Sequence, residues 1–307
     1  MSERPALHGI ISYPVTPFTA TGAPDLPALS TLVEDLIAGG SHAVAPLGST
    51  GEAAYLVNAE WDAVCAGALE AVAGRVPTLV GVGHWSTAET ARRARRAAAL
   101  GADAVMVLPV AYWKLTRPEL ERHFGAVAEA AGIPVMLYNN PATSGTDLTP
   151  AEIVALGARI ENLTMVKESS GEAARFTEIL ERSEGALSVY NGSNPIALDA
   201  FRAGAAGWCT AAPCLVPGGP RELYEAHRAG DHARAEAVLA ELLPLLRFIV
   251  ELGLPRAVKH GLELLGRGVG APRPPLGPLP EAEVAVLRGL LEDLGEARTG
   301  RIADRAR

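Results

Sequence analysis

The stretch Leu163–Gly171, LTMVKESSG, brings an apolar run to an end on a lysine. Side chains alternate along an extended strand, so Leu163, Met165 and Lys167 share one face while Thr164, Val166 and Glu168 take the other. Lys167 is thereby aligned with core residues. Lysine is also scarce, since of 27 basic residues only Lys114, Lys167 and Lys259 are lysines. Arginine stays protonated and cannot act as an amine nucleophile. A lysine desolvated in an apolar site can lose its charge and attack a ketone to give a Schiff base. The plain alternative is a strand-end lysine whose ammonium reaches back to water. Composition alone favours that alternative, and the rest of the chain reverses it.

A Schiff-base centre also needs a proton shuttle and donors for a keto acid's carboxylate. Tyr138, at the end of the run PVMLYNN, is placed to relay protons if a hydroxyl such as that of Thr50 orients its phenol. Ser49 and Thr50 offer hydroxyls and backbone N–H groups at an expected helix start, a setting that suits an anion. Gly51 would let that turn bend tightly, and Glu52 reads as a residue that fixes the loop by hydrogen bonds. Other expected strand ends carry Thr16, His84, Asn139 and Gly192. His84 reads as a donor to a substrate hydroxyl or equally as a satisfied structural histidine. Cys209 reads as a reactive thiol or, more simply, as a small buried hydrophobe. Trp113 could wall the mouth of a site or pack between subunits.

The elements that must position these groups follow from an alternation of short β-rich runs with alanine- and leucine-rich helical stretches, the pattern of a parallel α/β fold. Strands are expected near 8–16, 42–48, 77–83, 104–110, 134–140, 163–169, 187–192 and 206–211. Helices are expected near 25–38, 59–73, 87–100, 118–131, 150–156, 172–182 and 195–203. Such units fit a (β/α)8 TIM barrel, whose reactive groups stand at the C-terminal ends of the strands. A doubly wound sheet is the runner-up, but no G-x-G-x-x-G turn follows the first strand. Beyond Pro213 only helices are expected, near 219–229, 231–252, 255–265 and 281–295. The expected division is a barrel over 1–218 and a C-terminal helical appendage over 219–307, with the tail ARTGRIADRAR frayed.

The chain of 307 residues, 49% hydrophobic and 20% charged, is long enough for a large core. A formal charge of −8 argues against nucleic acid as a partner. The one concentrated basic run, Arg92, Arg93, Arg95 and Arg96, sits in a helical pattern and is expected to form a solvated face or a subunit contact. Cys65, Cys209 and Cys214 are odd in number and lack metal-ligand spacing, so neither a disulfide framework nor a metal site is expected. No apolar run is long enough to span a membrane and MSERPALHG lacks a signal-peptide core, so a cytoplasmic location is expected. No cofactor is expected beyond the lysine itself.

The motifs GSTGE (48–52), YNNPATSG (138–145), VKES (166–169), YNGSN (190–194) and GLELLG (261–266) resemble those of the dihydrodipicolinate synthase and N-acetylneuraminate lyase family of class I pyruvate aldolases. The resemblance runs from the first strand through the C-terminal helices. It implies Lys167 as the Schiff-base lysine, Tyr138 as proton relay, and Ser49 and Thr50 as the carboxylate and relay hydroxyls. It also implies a homotetramer of tight dimers, in which an aromatic loop residue, here Tyr112, completes the relay across an interface. Three positions depart from the patterns of known family members. Synthases of this type usually carry an arginine where Thr143 stands, and sialic-acid lyases carry acidic side chains where Asn194 and Pro195 stand. Losing those charges changes what the site can hold, so a different second substrate is expected. The leading expectation is a lyase acting on pyruvate or a 2-keto-3-deoxy acid. An authentic synthase condensing pyruvate with aspartate semialdehyde and a non-catalytic keto-acid sensor are the alternatives.

Overall fold

The computed structural model of the chain describes residues 7–299. Its strands are β1 (Gly9–Ser12), β2 (Ala43–Val44), β3 (Leu79–Gly81), β4 (Ala104–Val107), β5 (Val135–Asn139), β6 (Leu163–Glu168), β7 (Ser188–Asn191) and β8 (Gly207–Thr210). The helices up to β6 are α1 (Leu26–Ala38), α2 (Asn58–Val72), α3 (Thr87–Ala99), α4 (Arg117–Ala131), α5 (Pro141–Ser144) and α6 (Pro150–Arg159). After β6 come α7 (Ala174–Arg182), α8 (Ala197–Arg202), α9 (Gly219–Arg228), α10 (His232–Glu251), α11 (Leu254–Leu264), α12 (Glu281–Leu294) and α13 (Glu296–Thr299).

All paired strands run parallel, in the order β2-β1-β8-β7-β6-β5-β4-β3. The two ends of that order meet through a parallel bridge between Val44 and Thr78, with Val44 N–H donating to Pro77 O at 3.1 Å and Gly81 N–H to Pro46 O at 3.0 Å. The sheet therefore closes into a TIM barrel, which excludes the doubly wound arrangement. Closure needs a glycine at 81, where an added Cβ would lie 2.1 Å from Leu47 O.

Alternation along the strands splits their side chains between two buried clusters. Ile11, Ala43, Leu79, Met106, Met136, Met165 and Cys209 belong to the cluster that fills the barrel. Val44, Val80, Val105, Leu137, Val166 and Val189 belong to the layer between strands and outer helices. Tyr13, Tyr138 and Tyr190 fall in the first set, which places three phenols inside the cylinder.

Some helix starts are legible as caps. Asp25 accepts from Ala28 N–H at 3.0 Å to begin α1, and Thr149 with Glu152 forms a capping box on α6. Two assignments shift. The loop PATSGTDLT contains the short helix α5, started by Pro141 and ended by Gly145 at φ 68°. α9 packs on α8 and β1 and so occupies the place of the eighth outer helix, which carries the barrel to Arg228. Leu246, Leu262 and Leu287 of the helices beyond belong to the same apolar cluster as Ile11 and Met106, so the appendage shares its core with the barrel.

The arginine run of α3 is only half solvated. Arg95 and Arg96 are exposed, but Arg93 is buried, donates to Gly83 O at 3.2 Å and lies 5.3 Å from the centre of the Trp61 ring. It ties α3 to the end of β3. No described helix is long and apolar enough to cross a membrane. Of the tail expected to fray, Ala297–Thr299 lies in α13 and the remainder lies outside the described residues.

Candidate active site

β5 and β6 pair in a register that sets Tyr138 directly beside Lys167. Lys167 is 5% exposed, and its Nζ stands 4.0 Å from the ring centroid of Tyr138 and 4.0 Å from that of Tyr13. The amine is thus held inside the barrel between two aromatic faces. Gly192, just after β7, makes the room: a Cβ there would lie 2.6 Å from Lys167 Cε and 1.9 Å from Ser169 Oγ. Its N–H donates to Glu168 O at 2.8 Å, which fixes the approach.

The Tyr138 phenol oxygen accepts from Asn140 Nδ2 at 2.7 Å. The expected bond from Thr50 is not made among the described residues, although Thr50 is buried nearby in the turn after β2. Tyr138 lines a cavity of about 90 Å³ together with Gly48, Ser49, His84, Met106 and Leu108. On the outer face of the same strand pair, Asn139 Nδ2 donates to Glu168 Oε2 at 2.9 Å and Ser170 N–H to Glu168 Oε1 at 2.6 Å. Burial pushes the Glu168 carboxyl up, and those two donors offset part of the effect. Arg175 beside Asp147 holds that carboxyl below its usual range and extends the network to solvent. Residues 139 and 168 therefore brace from behind the two strands that carry Tyr138 and Lys167.

The turn Gly48–Glu52 is flanked by two left-handed residues, Leu47 at φ 61° and Glu52 at φ 56°. The strain expected at Gly51 thus falls on its neighbours, and Gly51 serves close approach instead, with its carbonyl accepting from Thr16 Oγ1 at 2.6 Å. Ser49 is exposed at the mouth. The turn leads into a single 3-10 turn, Ala53–Tyr55, and the regular helix begins only at Asn58, so the donors here are loop amides with little helix dipole behind them.

Glu52 does far more than close its own loop. Its Oε1 pairs with Lys259 Nζ at 2.7 Å and its Oε2 accepts from Arg273 N–H at 2.6 Å. Lys259 is 2% exposed, lies 4.0 Å from the Phe18 ring centroid and donates to Ala271 O at 3.1 Å. Burial lowers the Lys259 ammonium's pKa and the Glu52 carboxylate raises it.

The remaining expected residues divide. His84 lines the cavity half-buried, its Nδ1 accepting from Ser86 N–H at 3.1 Å, and burial with nearby Arg93 lowers its pKa. Cys209 sits inside the barrel with its thiol pushed up by burial and drawn down in part by Lys167, so it behaves as a buried apolar group rather than a thiolate. Asn194 is buried, and its Oδ1 accepts from Trp208 Nε1 at 3.2 Å and Thr210 Oγ1 at 2.9 Å, which turns it toward β8. Thr143 is exposed on α5 and does not line the cavity. Tyr112 is 88% exposed and stacks edge-on against Trp113 at 5.8 Å, outside the cavity of its own chain. Reading the sequence missed Tyr13 and Asn140. Tyr13 shares the inward face with Ile11, an alternation already contained in the expected strand 8–16.

The dihydrodipicolinate synthetase family model matches residues 6–294. Among curated relatives, 4-hydroxy-tetrahydrodipicolinate synthase of Methanoculleus marisnigri is 38% identical over 290 residues, 94% of this chain and 99% of that one. A solved Pseudomonas aeruginosa protein, provisionally assigned as a dihydrodipicolinate synthetase, superposes with a TM-score of 0.92 at 52% identity over 94% of this chain and 100% of its own. A prophage protein of the dihydrodipicolinic acid synthase family from E. coli K12, solved in complex with pyruvate, gives a TM-score of 0.89 at 33% identity, covering 94% and 98% of the two chains.

Proposed function

The chain belongs to the dihydrodipicolinate synthetase family, enzymes of the aldolase and lyase type, and on that premise we propose that Lys167 forms a Schiff base with pyruvate or a 2-keto-3-deoxy acid. One observation carries this reading: the only amine inside the barrel's mouth among the described residues is buried 4.0 Å from the Tyr138 ring, beside the space that Gly192 leaves open. The E. coli relative solved with pyruvate supports the choice of keto acid.

The Lys167 lone pair attacks the ketone carbon, and Tyr138 carries a proton from the nitrogen to the new alkoxide, giving a neutral carbinolamine. Tyr138 then protonates the departing hydroxyl, water leaves and the iminium forms. Loss of a C3 proton, or cleavage of the C3–C4 bond, gives the enamine, and the reverse makes that bond. Ser49, Thr50 and their amides hold the carboxylate, and Asn140 orients the phenol. The lysine supplies the covalent chemistry itself.

Thr143 and Asn194 bring no charge to the second substrate, which favours a hydroxylated, uncharged tail over an aldehyde that carries a second carboxylate. The names of the curated relatives favour the other reading, condensation with aspartate semialdehyde. Assaying aspartate semialdehyde beside C5 and C6 2-keto-3-deoxy acids separates the two. Borohydride added with pyruvate is expected to leave a reduced adduct on Lys167 and abolish activity; an unmodified Lys167 peptide would end the proposal. Exposed Tyr112 and Trp113 suit contact with a second copy of the chain, as a tetramer of tight dimers requires. Light scattering of a monomer at assay concentrations would remove that part.

A further inference from the structure

Tyr13 faces the reacting nitrogen, yet its hydroxyl is turned away. The ring centroid is 4.0 Å from Lys167 Nζ, while the phenol donates to Met106 Sδ at 3.1 Å on β4, two strands from β6. The ring is seated by construction. Gly48 leaves its slot, since a Cβ there would lie 2.7 Å from Tyr13 Cδ1, and Cys209 packs beside the phenol. Tyr13 is 2% exposed, so no water competes for the face turned toward the amine.

A phenol whose proton is donated to a thioether is not presenting that proton to the substrate. What remains is the π-face, whose quadrupole attracts a cation held above it, most strongly in a desolvated site. We propose that Tyr13 is a catalytic residue of the Schiff-base reaction, its ring face stabilising the positive charge that appears on the Lys167 nitrogen when the carbinolamine becomes an iminium. The inference rests on the Schiff-base reading and deepens it. A ring face attracts either cation at that nitrogen, ammonium or iminium, so its gain is confined to steps in which a neutral nitrogen becomes positive. In the dehydration step the carbinolamine nitrogen donates its lone pair to the carbon, hydroxide leaves with the Tyr138 proton as water, and the charge arises 4.0 Å from the ring centre. Tyr138 presents the same kind of face from the other side but also handles protons. Tyr13 separates the two roles.

The test is the pyruvate concentration that half-saturates borohydride trapping of Lys167, measured on the alkaline plateau of the trapping profile, where the resting nitrogen is uncharged and only the iminium carries the positive charge. Tyr13→Phe keeps the face and loses only the hydroxyl, and is expected to stay within about twofold of the unaltered protein. Fluorinated phenylalanines installed at position 13 keep the shape while draining the face. Half-saturation is expected to climb step by step with fluorine number, by about tenfold at the fully fluorinated ring. A flat series overturns the proposal, as does a loss in Tyr13→Phe as large as in Tyr13→Leu, which would assign the effect to the hydroxyl. No trapping by the unaltered protein would overturn the Schiff-base reading itself, an outcome distinct from trapping that is indifferent to fluorine.

Discussion

Gly192 and Tyr138 bound the Lys167 side chain from two directions, and each makes a different demand on it. A methyl at Gly192 would come within 2.6 Å of Lys167 Cε and 1.9 Å of Ser169 Oγ, closer than packed atoms approach, so one of them must move. Gly192→Ala is expected to cut the rate of borohydride trapping at least tenfold, with an overpacking cost of about 1–3 kcal/mol visible in urea unfolding. Trapping at the normal rate would mean that the lysine does not use that space. Tyr138→Phe keeps the ring beside the amine and removes only the phenol hydroxyl, the proposed proton relay. Turnover is expected to fall by about 10²–10⁴ with KM nearly unchanged, as steady-state kinetics would show. Lys167 and Tyr138 were legible in the sequence because strand alternation and an apolar run orient them. Asn140 was not, because its bond to the phenol depends on how the chain turns into α5, which no periodicity records.

The turn between β2 and α2 is held by an element far away in the sequence. Lys259, on α11, meets Glu52 with both side chains essentially out of contact with water. Removing one member of such a pair strands the other, so Lys259→Met is expected to cost about 3–5 kcal/mol in denaturant unfolding, with much of that loss restored by adding Glu52→Gln. If Lys259→Met alone is neutral, the pair does not hold the turn. Helices were read from sequence to within a residue or two at most ends, because caps such as Asp25 and Thr149 are local chemistry. Strands were overdrawn for a reason that β2 shows. The apolar run 42–48 is buried throughout most of its length, but Leu47 turns left-handed and only Ala43–Val44 pairs as strand. The Glu52–Lys259 link was half visible: both residues drew notice, one as a loop brace and one as a rare lysine, but nothing local joins positions so distant.

Across the whole molecule, several histidines are held with lowered pKa values. His42 is shifted by burial and by neighbouring His8, and its Nδ1 accepts from Ile10 N–H at 3.0 Å, which requires the neutral ring; His123 is shifted by burial. The unfolded chain then binds more protons than the folded one as pH drops. The stability these groups contribute is complete above the unfolded value of about 6.5 and is lost as pH falls through the folded values. Melting temperature is expected to decline from about pH 7.5 to pH 5, and less steeply in His42→Asn, whose amide oxygen can still accept from Ile10. An identical slope in that variant would clear His42 of the effect. Seven strand pairs among the described residues are joined by ladders, while the seam between β2 and β3 holds one bridge, Val44 to Thr78, and the bond from Gly81 N–H to Pro46 O. That joint is the place where the cylinder should breathe. Amide hydrogen–deuterium exchange is expected to be faster at Val44 and Gly81 than at Leu137 and Val166, so that the lumen admits solvent next to the Gly48–Glu52 turn while the strands bearing the amine and phenol stay shut.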